Sequence, residues 1–311
     1  MKTRASGWTL LLLALQTAPA WAQGSCKPIS SLPTTLDIPG VHCLTGPLST
    51  SAASPASVAI EVTADDIVLD LGGYRIQYTG PAGATSIGIH ASNRRNITVR
   101  NGTIRGFGFG INLGPPGSAL SAQHVIDGMR VDSSLGVGIF VIGAGSIVRN
   151  NQVIGSGGPS GQAHGIFTSG AGVRVVNNDV VDTHGAGTFD SHAIQVSGDG
   201  VVVEGNRLSN PSLPSPGKSY GVRVTPPSAT ALIVDNRVTI FHFGVYFSPG
   251  TGGKYRDNLT SGAGTPYTGG TDAGNNNENR GAPRSRAERG LGGFRAPQLA
   301  SRGTPGPGSR G

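Results

Sequence analysis

Two interleaved series of marks with one shared period constrain this chain more than any other feature. A small residue followed by Ile or Val recurs at Gly88-Ile89, Gly110-Ile111, Gly138-Ile139, Gly165-Ile166, Ala193-Ile194, Gly221-Val222 and Gly244-Val245, in steps of 22, 28, 27, 28, 28 and 23 residues. Between them run Asn101-Gly102, Asp127-Gly128, Asn150-Asn151, Asn177-Asn178, Gly205-Asn206, Asp235-Asn236 and Asp257-Asn258, in steps of 26, 23, 27, 28, 30 and 22, and Leu71-Gly72 extends this series one step earlier. Short alternations of β-branched residues flank the second series, as in Ile97-Thr98-Val99 before Asn101 and Thr103-Ile104 after Gly102. Alternation at period two is a strand signal. Each repeat therefore reads as three short strands: one after the Gly-Ile mark and one on each side of the Asn turn. No stretch within a repeat has room for a crossover helix.

A unit this short cannot bury its own apolar face, so successive units must stack. The prediction is a parallel solenoid with strands about 4.8 Å apart. Its Ile and Val ladders would contribute roughly 1.5–3 kcal/mol for each fully buried side chain. Hexapeptide repeats, the mark of left-handed solenoids, are absent, which favours right-handed winding. A β-sandwich gives no reason for two series to share one period.

The stretches Asn96-Ile97-Thr98-Val99-Arg100-Asn101-Gly102-Thr103-Ile104-Arg105-Gly106-Phe107 and Gly145-Ser146-Ile147-Val148-Arg149-Asn150-Asn151 resemble coils of the right-handed parallel β-helix proteins of the pectate-lyase-like superfamily. The resemblance runs over residues 58–260 and is nearest to secreted bacterial members without established activity. It implies an all-β fold, a right-handed parallel β-helix of about eight coils over 58–277. Pro39-Gly40-Val41-His42-Cys43-Leu44 resembles the family's N-terminal capping segment, which places a cap at 23–57, and the fold is expected to end near Asp272-Ala273-Gly274-Asn275-Asn276-Asn277. The superfamily hosts lyases, hydrolases, epimerases and noncatalytic proteins, so the fold alone does not choose a reaction.

The chain starts as a secretory signal over 1–22. Lys2 and Arg4 precede the apolar run Leu10-Leu11-Leu12-Leu13-Ala14-Leu15, and Ala20-Trp21-Ala22 forms a cleavage site. The run is too short to span a bilayer. A secreted or periplasmic protein is expected. Cys26 and Cys43 are the only cysteines, and in an oxidising compartment they form one disulfide. The net charge of +7 sits in the termini, because residues 23–277 carry 15 Lys+Arg against 15 Asp+Glu. A neutral body tracks no phosphate backbone, so nucleic acid is not an expected partner, nor is a membrane. The chain is expected to act as a monomer. The Arg-, Gly- and Pro-rich segment 278–311 reads as a disordered tail.

Family geometry implies that the turn Asn residues are structural, stacking and hydrogen-bonding to one another and to buried backbone. It also implies that the outer positions of the strand after each Gly-Ile mark form one groove, occupied by His90, Asn112, Phe140, Phe167, Gln195, Arg223 and Tyr246. Aromatic faces stack on sugar rings and Arg pairs with carboxylates. Of these, His90, Phe140, Phe167, Gln195, Arg223 and Tyr246 are the substrate-binding candidates. The loops entering this strand collect His164, Asp182, His184, Asp190, His192, Lys218, Tyr220 and His242.

Within these loops, Phe189-Asp190-Ser191-His192 resembles the Phe-Asp-Pro-His motif of β-helix mannuronan epimerases. Ser191 replaces Pro, and Gly187-Thr188 stands where that motif has Tyr-Gly. The resemblance implies that Asp190 neutralises a uronate carboxylate, that His192 takes a C5 proton, and that Tyr220 or Lys218 serves the opposite face. Loop polar residues held by one another are the alternative. Polygalacturonase motifs are missing, since Ala163-His164-Gly165 stands without Asn-Thr-Asp. The groove positions carry no carboxylate for calcium. No cofactor is predicted, with calcium, or a transition metal on His184, Asp190 and His192, left open. The expected function is engagement of polysaccharide, acidic rather than neutral, by a uronate-glycan lyase or epimerase. The other reading is a noncatalytic glycan-binding or cell-surface solenoid.

Overall fold

The computed structural model describes residues 26–51, 57–81, 85–115, 117–158, 161–214 and 216–279. The leader expected over 1–22, and all but the first two residues of the expected tail, lie outside them. The described chain is a right-handed parallel β-solenoid built from strands alone. Ten strands stack as one sheet, beginning at Thr34–Leu36 and ending at Thr265–Thr268, and a nineteen-stranded sheet wraps the other two faces. One coil shows the plan: Val137–Ile142 lies in the ten-stranded sheet, and Ile147–Arg149 and Gln152–Ser156 lie on either side of the Asn150 turn. Every pairing between named strands is parallel, and each strand pairs with its counterpart one coil away.

The Gly-Ile marks fall in register. Ile60, Ile89, Ile111, Ile139, Ile166, Ile194, Val222 and Val245 are successive partners across the ten-stranded sheet, and all are buried. They form the ladder that the repeat predicted. The Gly before each Ile also turns inward: a Cβ on Gly165 would meet the Val180 side chain and the Ala193 carbonyl. Both residues of the mark therefore face the core, and the outward positions on either side lie three residues apart, as His164 and Phe167 do.

The Asn turn closes on an amide ladder. The Nδ2 groups of Asn151, Asn178, Asn206, Asn236 and Asn258 each donate to Oδ1 of the next Asn, ending at Asn276, at 2.9–3.2 Å. The same amides donate to backbone carbonyls of the preceding coil, such as Asn206 to Val175 at 2.9 Å. Asn151, Asn178, Asn206, Asn236 and Asn258 are all buried. The turn residue ahead of each is left-handed, with φ of +55° at Asn177 and +65° at Gly205, a conformation that Asn, Asp and Gly tolerate. N-terminal to Asn151 the column changes chemistry: Met129, buried, precedes it and gives its N–H to Asn151 Oδ1 at 2.9 Å.

The segment 23–57, expected as a cap, joins the ladders from Lys27 onward. Lys27–Ile29 pairs with Gly40–Leu44, and Thr34–Leu36 pairs with Val58–Val62. Strands between Lys27 and Thr50 thus continue the same ladders as the coils that follow. Cys26 and Cys43 are disulfide-bonded, with Cα atoms 6.0 Å apart, which ties the start of the first strand to the coil it pairs with. Both ends of the solenoid carry a proline: Pro28 in the strand Lys27–Ile29 and Pro266 in Thr265–Thr268.

Candidate functional site

The outward surface of the ten-stranded sheet presents two parallel columns. Glu61, His90, Asn112, Phe140, Phe167, Gln195, Arg223, Tyr246 and Thr268 are successive register partners in one of them. This contains the groove residues expected from the sequence, in the expected order. Glu61 corrects one expectation: the face does carry a carboxylate, and it holds His90 Nδ1 at 2.9 Å. Asn112 is buried, and the remaining candidates are half-buried.

The second column runs Ile87, Phe109, Val137, His164, His192, Tyr220, Phe243 and Thr265. His164, His192 and Tyr220 therefore belong to strands, Ala163–Ser169, Ser191–Ser197 and Ser219–Thr225, and not to the loops before them. Their direction is fixed by the ladder. His164 stacks on His192 with centroids 4.7 Å apart, His192 on Tyr220 at 5.1 Å, and Tyr220 on Phe243 at 5.0 Å. In the first column Phe140 and Phe167 stack at 4.6 Å with planes 7° apart. Edge contacts tie the columns together, His164 to Phe167 at 5.5 Å and Tyr220 to Tyr246 at 5.2 Å.

Arg223 lies across the columns. Its Nη1 donates to His192 Nε2 at 2.8 Å, its Nε reaches Ser248 Oγ at 3.4 Å, and its guanidinium carbon sits 4.9 Å from the Tyr220 ring centroid. An arginine only donates, so His192 Nε2 is the acceptor and the neutral ring carries its proton on Nδ1. His192 is fully buried. Burial first, then His164 and Arg223, push its pKa down to about 2. The Ala163 backbone acts weakly the other way, but no hydrogen bond of ordinary geometry reaches the buried Nδ1. His164 is pressed down to about 4, chiefly by burial, against a hydrogen bond from Nε2 to Gln195 Oε1 at 3.1 Å. Both histidines are neutral near pH 7. Burial, then Asp190, raises the Tyr220 hydroxyl pKa, against the pull of Arg223.

Asp190 and Lys218 flank this array at the loop edge. The Asp190 carboxylate accepts the Lys218 backbone N–H at 3.2 Å, and Lys218 Nζ lies 5.9 Å from the Phe243 ring centroid. Phe189, ahead of Asp190, is 52% exposed. His242 Nδ1 accepts from the Ser219 N–H at 3.0 Å and faces Ser219 Oγ at 3.0 Å, so Ser219, itself buried, is held beneath the loop. His90 stands apart, five rungs from Arg223 in the column, about 24 Å at the usual strand spacing. His184, exposed just past the strand Asp179–Thr183, pairs instead with Asp182 at 3.4 Å, and Asp182 belongs to that strand and not to a loop. Among the described residues no group of three or more His, Cys, Asp or Glu side chains could hold a metal ion.

The fold and this face define a parallel β-solenoid whose outer sheet displays stacked rings beside a fixed cation. The chain belongs to the right-handed β-helix family, whose described region matches residues 87–279. The sequence matches no curated protein. Among solved structures it is similar to a pectate lyase, with TM-score 0.49 and 11% identity over 78% of this chain and 71% of that one. It is also similar to the A-module of a mannuronan C-5 epimerase of Azotobacter vinelandii, with TM-score 0.30 and 14% identity over 77% and 91%. A DFA-IIIase of Arthrobacter chlorophenolicus gives TM-score 0.35 and 14% identity over 82% and 67%. These likenesses concern the fold.

Proposed function

We infer that the outward face of the ten-stranded sheet, from Phe140 to Tyr246, binds polysaccharide laid along the solenoid axis. The observation that carries this is the pair of ring columns locked in register, with Phe140 and Phe167 stacked as one half-buried platform beside Arg223. The stacked rings turn their faces on one another, so at each rung an apolar ring edge meets the sugars laid along the axis, while Gln195, Arg223 and Lys218 offer donors. The disulfide suits an oxidising compartment, which is where extracellular glycans are met.

The geometry favours binding over a proton abstraction by His192. Its one lone pair is engaged by Arg223, its ring is out of solvent, and its affinity for a proton is low. A general base must reach the proton it removes. The noncatalytic reading therefore leads, with Asp190, Lys218 and Tyr220 as rim and floor of the surface.

Calorimetric titration of the full-length protein with alginate, pectate and glycosaminoglycan oligosaccharides tests the proposal. Phe140→Ala and Phe167→Ala should each weaken binding about fivefold, from roughly 1 kcal/mol of lost ring contact. No binding to any of these glycans, or full binding by the double variant, refutes the assignment. The same mixtures, followed by unsaturated-uronate absorbance and by C5 inversion in NMR, decide for a lyase or epimerase if either signal appears.

A further inference from the structure

The strands just ahead of the Asn turn make a second outward surface, on the nineteen-stranded sheet and separate from the ring columns. Each buries a middle residue, such as Val99, Ile126 or Val148, and turns the residues on either side of it outward. The first flank makes one column. Val41, Val68, Thr98, Val125 and Ile147 are successive register partners over five coils, and Arg174 follows on the sixth. Val41 is exposed and the other four β-branched side chains are half-buried. Apolar side chains left outward on successive coils mark an interaction surface. The second flank makes a column of alternating sign, with Asp70, Arg100, Asp127 and Arg149 on the second to fifth of these coils. Within the chain they pair in twos: Arg100 Nε donates to Asp70 at 2.9 Å, and Arg149 Nε to Asp127 at 3.0 Å. Neither column holds an aromatic ring over these coils, and the four charges cancel. A sugar chain or a polyanion meets nothing built for it here.

The order acid, base, acid, base is its own complement when read backwards. Two copies stacked face to face are related by a two-fold axis lying in the interface. An axis along the strands reverses the order of coils and keeps each column opposite its own kind. Set between the third and fourth coils, it puts Asp70 against Arg149 of the second copy, Arg100 against Asp127, Val68 against Ile147, and Thr98 against Val125. Every charged contact is then opposite in sign, and every contact of these four coils in the other column joins two β-branched side chains. Arg174 of one copy falls over Val41 of the other, beside the groove that holds Asp70. An axis along the solenoid fails this test, because it sets each charge against an apolar residue or against its own like. We propose that this face is a self-association surface, on which a second copy of the chain docks antiparallel over the six coils from Val41 to Arg174. The match is closed, since both copies use the same patch and leave none for a third. The overlap runs about 29 Å at the usual strand spacing, a short contact that suits a reversible dimer of micromolar affinity. The ring columns lie on the other sheet and stay free in each copy.

Sedimentation velocity on the full-length protein, over a concentration series into the hundreds of micromolar, should show a monomer–dimer equilibrium. Arg100→Asp sets an acid against Asp127 of the second copy, twice per dimer, and Asp127→Arg sets a base against Arg100 in the same way. Each variant alone should associate about a hundredfold or more weakly than the unaltered protein. Mixed in equal amounts the two match again, acids of one chain against bases of the other. The mixture should form a heterodimer with about the affinity of the unaltered protein. That recovery requires the reversed order of coils, and it shows at once that both variants are folded. Val125→Arg leaves the four charges alone and should weaken association as well, by burying a cation against Thr98. A monomer throughout the series overturns the inference. So does a dimer that the reversals or Val125→Arg leave intact, and so does a mixture that stays monomeric.

Discussion

His124 gives the sharpest prediction about stability. It lies inside the solenoid at the position occupied by Ile97 one coil earlier and Ser146 one coil later. It is fully buried, and neither ring nitrogen has a hydrogen-bond partner among the described residues. Burial lowers its pKa from 6.5 to about 4, against a weaker opposing pull from Asp65. In the unfolded chain the ring keeps its ordinary value, so between these two pH values the unfolded state binds more protons. Stability must then fall as pH drops through that window and level off below it. A shift from 6.5 to about 4 amounts to about 3 kcal/mol in full, of which about 2.5 kcal/mol is lost by about pH 4.5. His124→Ile restores the residue type found one coil earlier and removes the titration. Urea unfolding at about pH 7 and about pH 4.5 on both chains isolates the effect, because His164 and His192 titrate in each and cancel in the difference. The variant should lose about 2.5 kcal/mol less than the unaltered protein over that interval, and should be no less stable at neutral pH, since two unpartnered buried nitrogens are gone. Equal losses in the two chains would refute the claim that the ring is buried and neutral in the fold.

Three further outcomes follow from the packing. Asn206→Ala strands the buried N–H of Asn178 and removes the amide bonds to Val175 O and Asn236 Oδ1, the latter keeping the Asn206 backbone N–H, and should cost about 1–3 kcal/mol in denaturant unfolding; near-neutrality would mean that the amide ladder is decorative. Gly165→Ala drives a Cβ into the Val180 side chain and the Ala193 carbonyl, and should destabilise by about 1–3 kcal/mol, whereas Ala at the more open Gly136, where the nearest atom is Gly108 O at 3.4 Å, should be tolerated. Reducing the Cys26–Cys43 bond, whose partners lie 17 residues apart, should cost about 3 kcal/mol in a reversible melt, and no change in midpoint would show that the first coil is held by its ladders alone.

The coil plan was legible because the Ile ladder and the Asn turn each repeat once per coil, and a parallel solenoid places such residues in register without further information. The same logic located His90 through Tyr246 on one outer column. It missed the neighbouring column. Strict alternation counted back from Ile166 or Ile194 points His164 and His192 inward, and only the inward turn of both Gly165 and Ile166 reverses that. The local signal was present, as an aromatic or His immediately before the small residue in Phe109-Gly110, His164-Gly165, His192-Ala193, Tyr220-Gly221 and Phe243-Gly244. Recognising its meaning required knowing that both residues of the mark face the core. Glu61 follows Ala59-Ile60, a mark of the same kind as Ala193-Ile194 that stands one coil before the first of the series at Gly88-Ile89. The burial of His192 and its bond to Arg223 could not be read at all, because they depend on side chains 31 residues apart.

The prolines at the two ends matter beyond their own strands. A stack of this kind has no natural stopping point: among the described residues, the first and last strands turn a row of amide hydrogens and carbonyls toward whatever lies beyond, a second copy of the same chain included. Pro28 and Pro266 each delete one donor from that row. An incoming strand would leave one of its own carbonyls unanswered at either end, and that mismatch discourages filament growth.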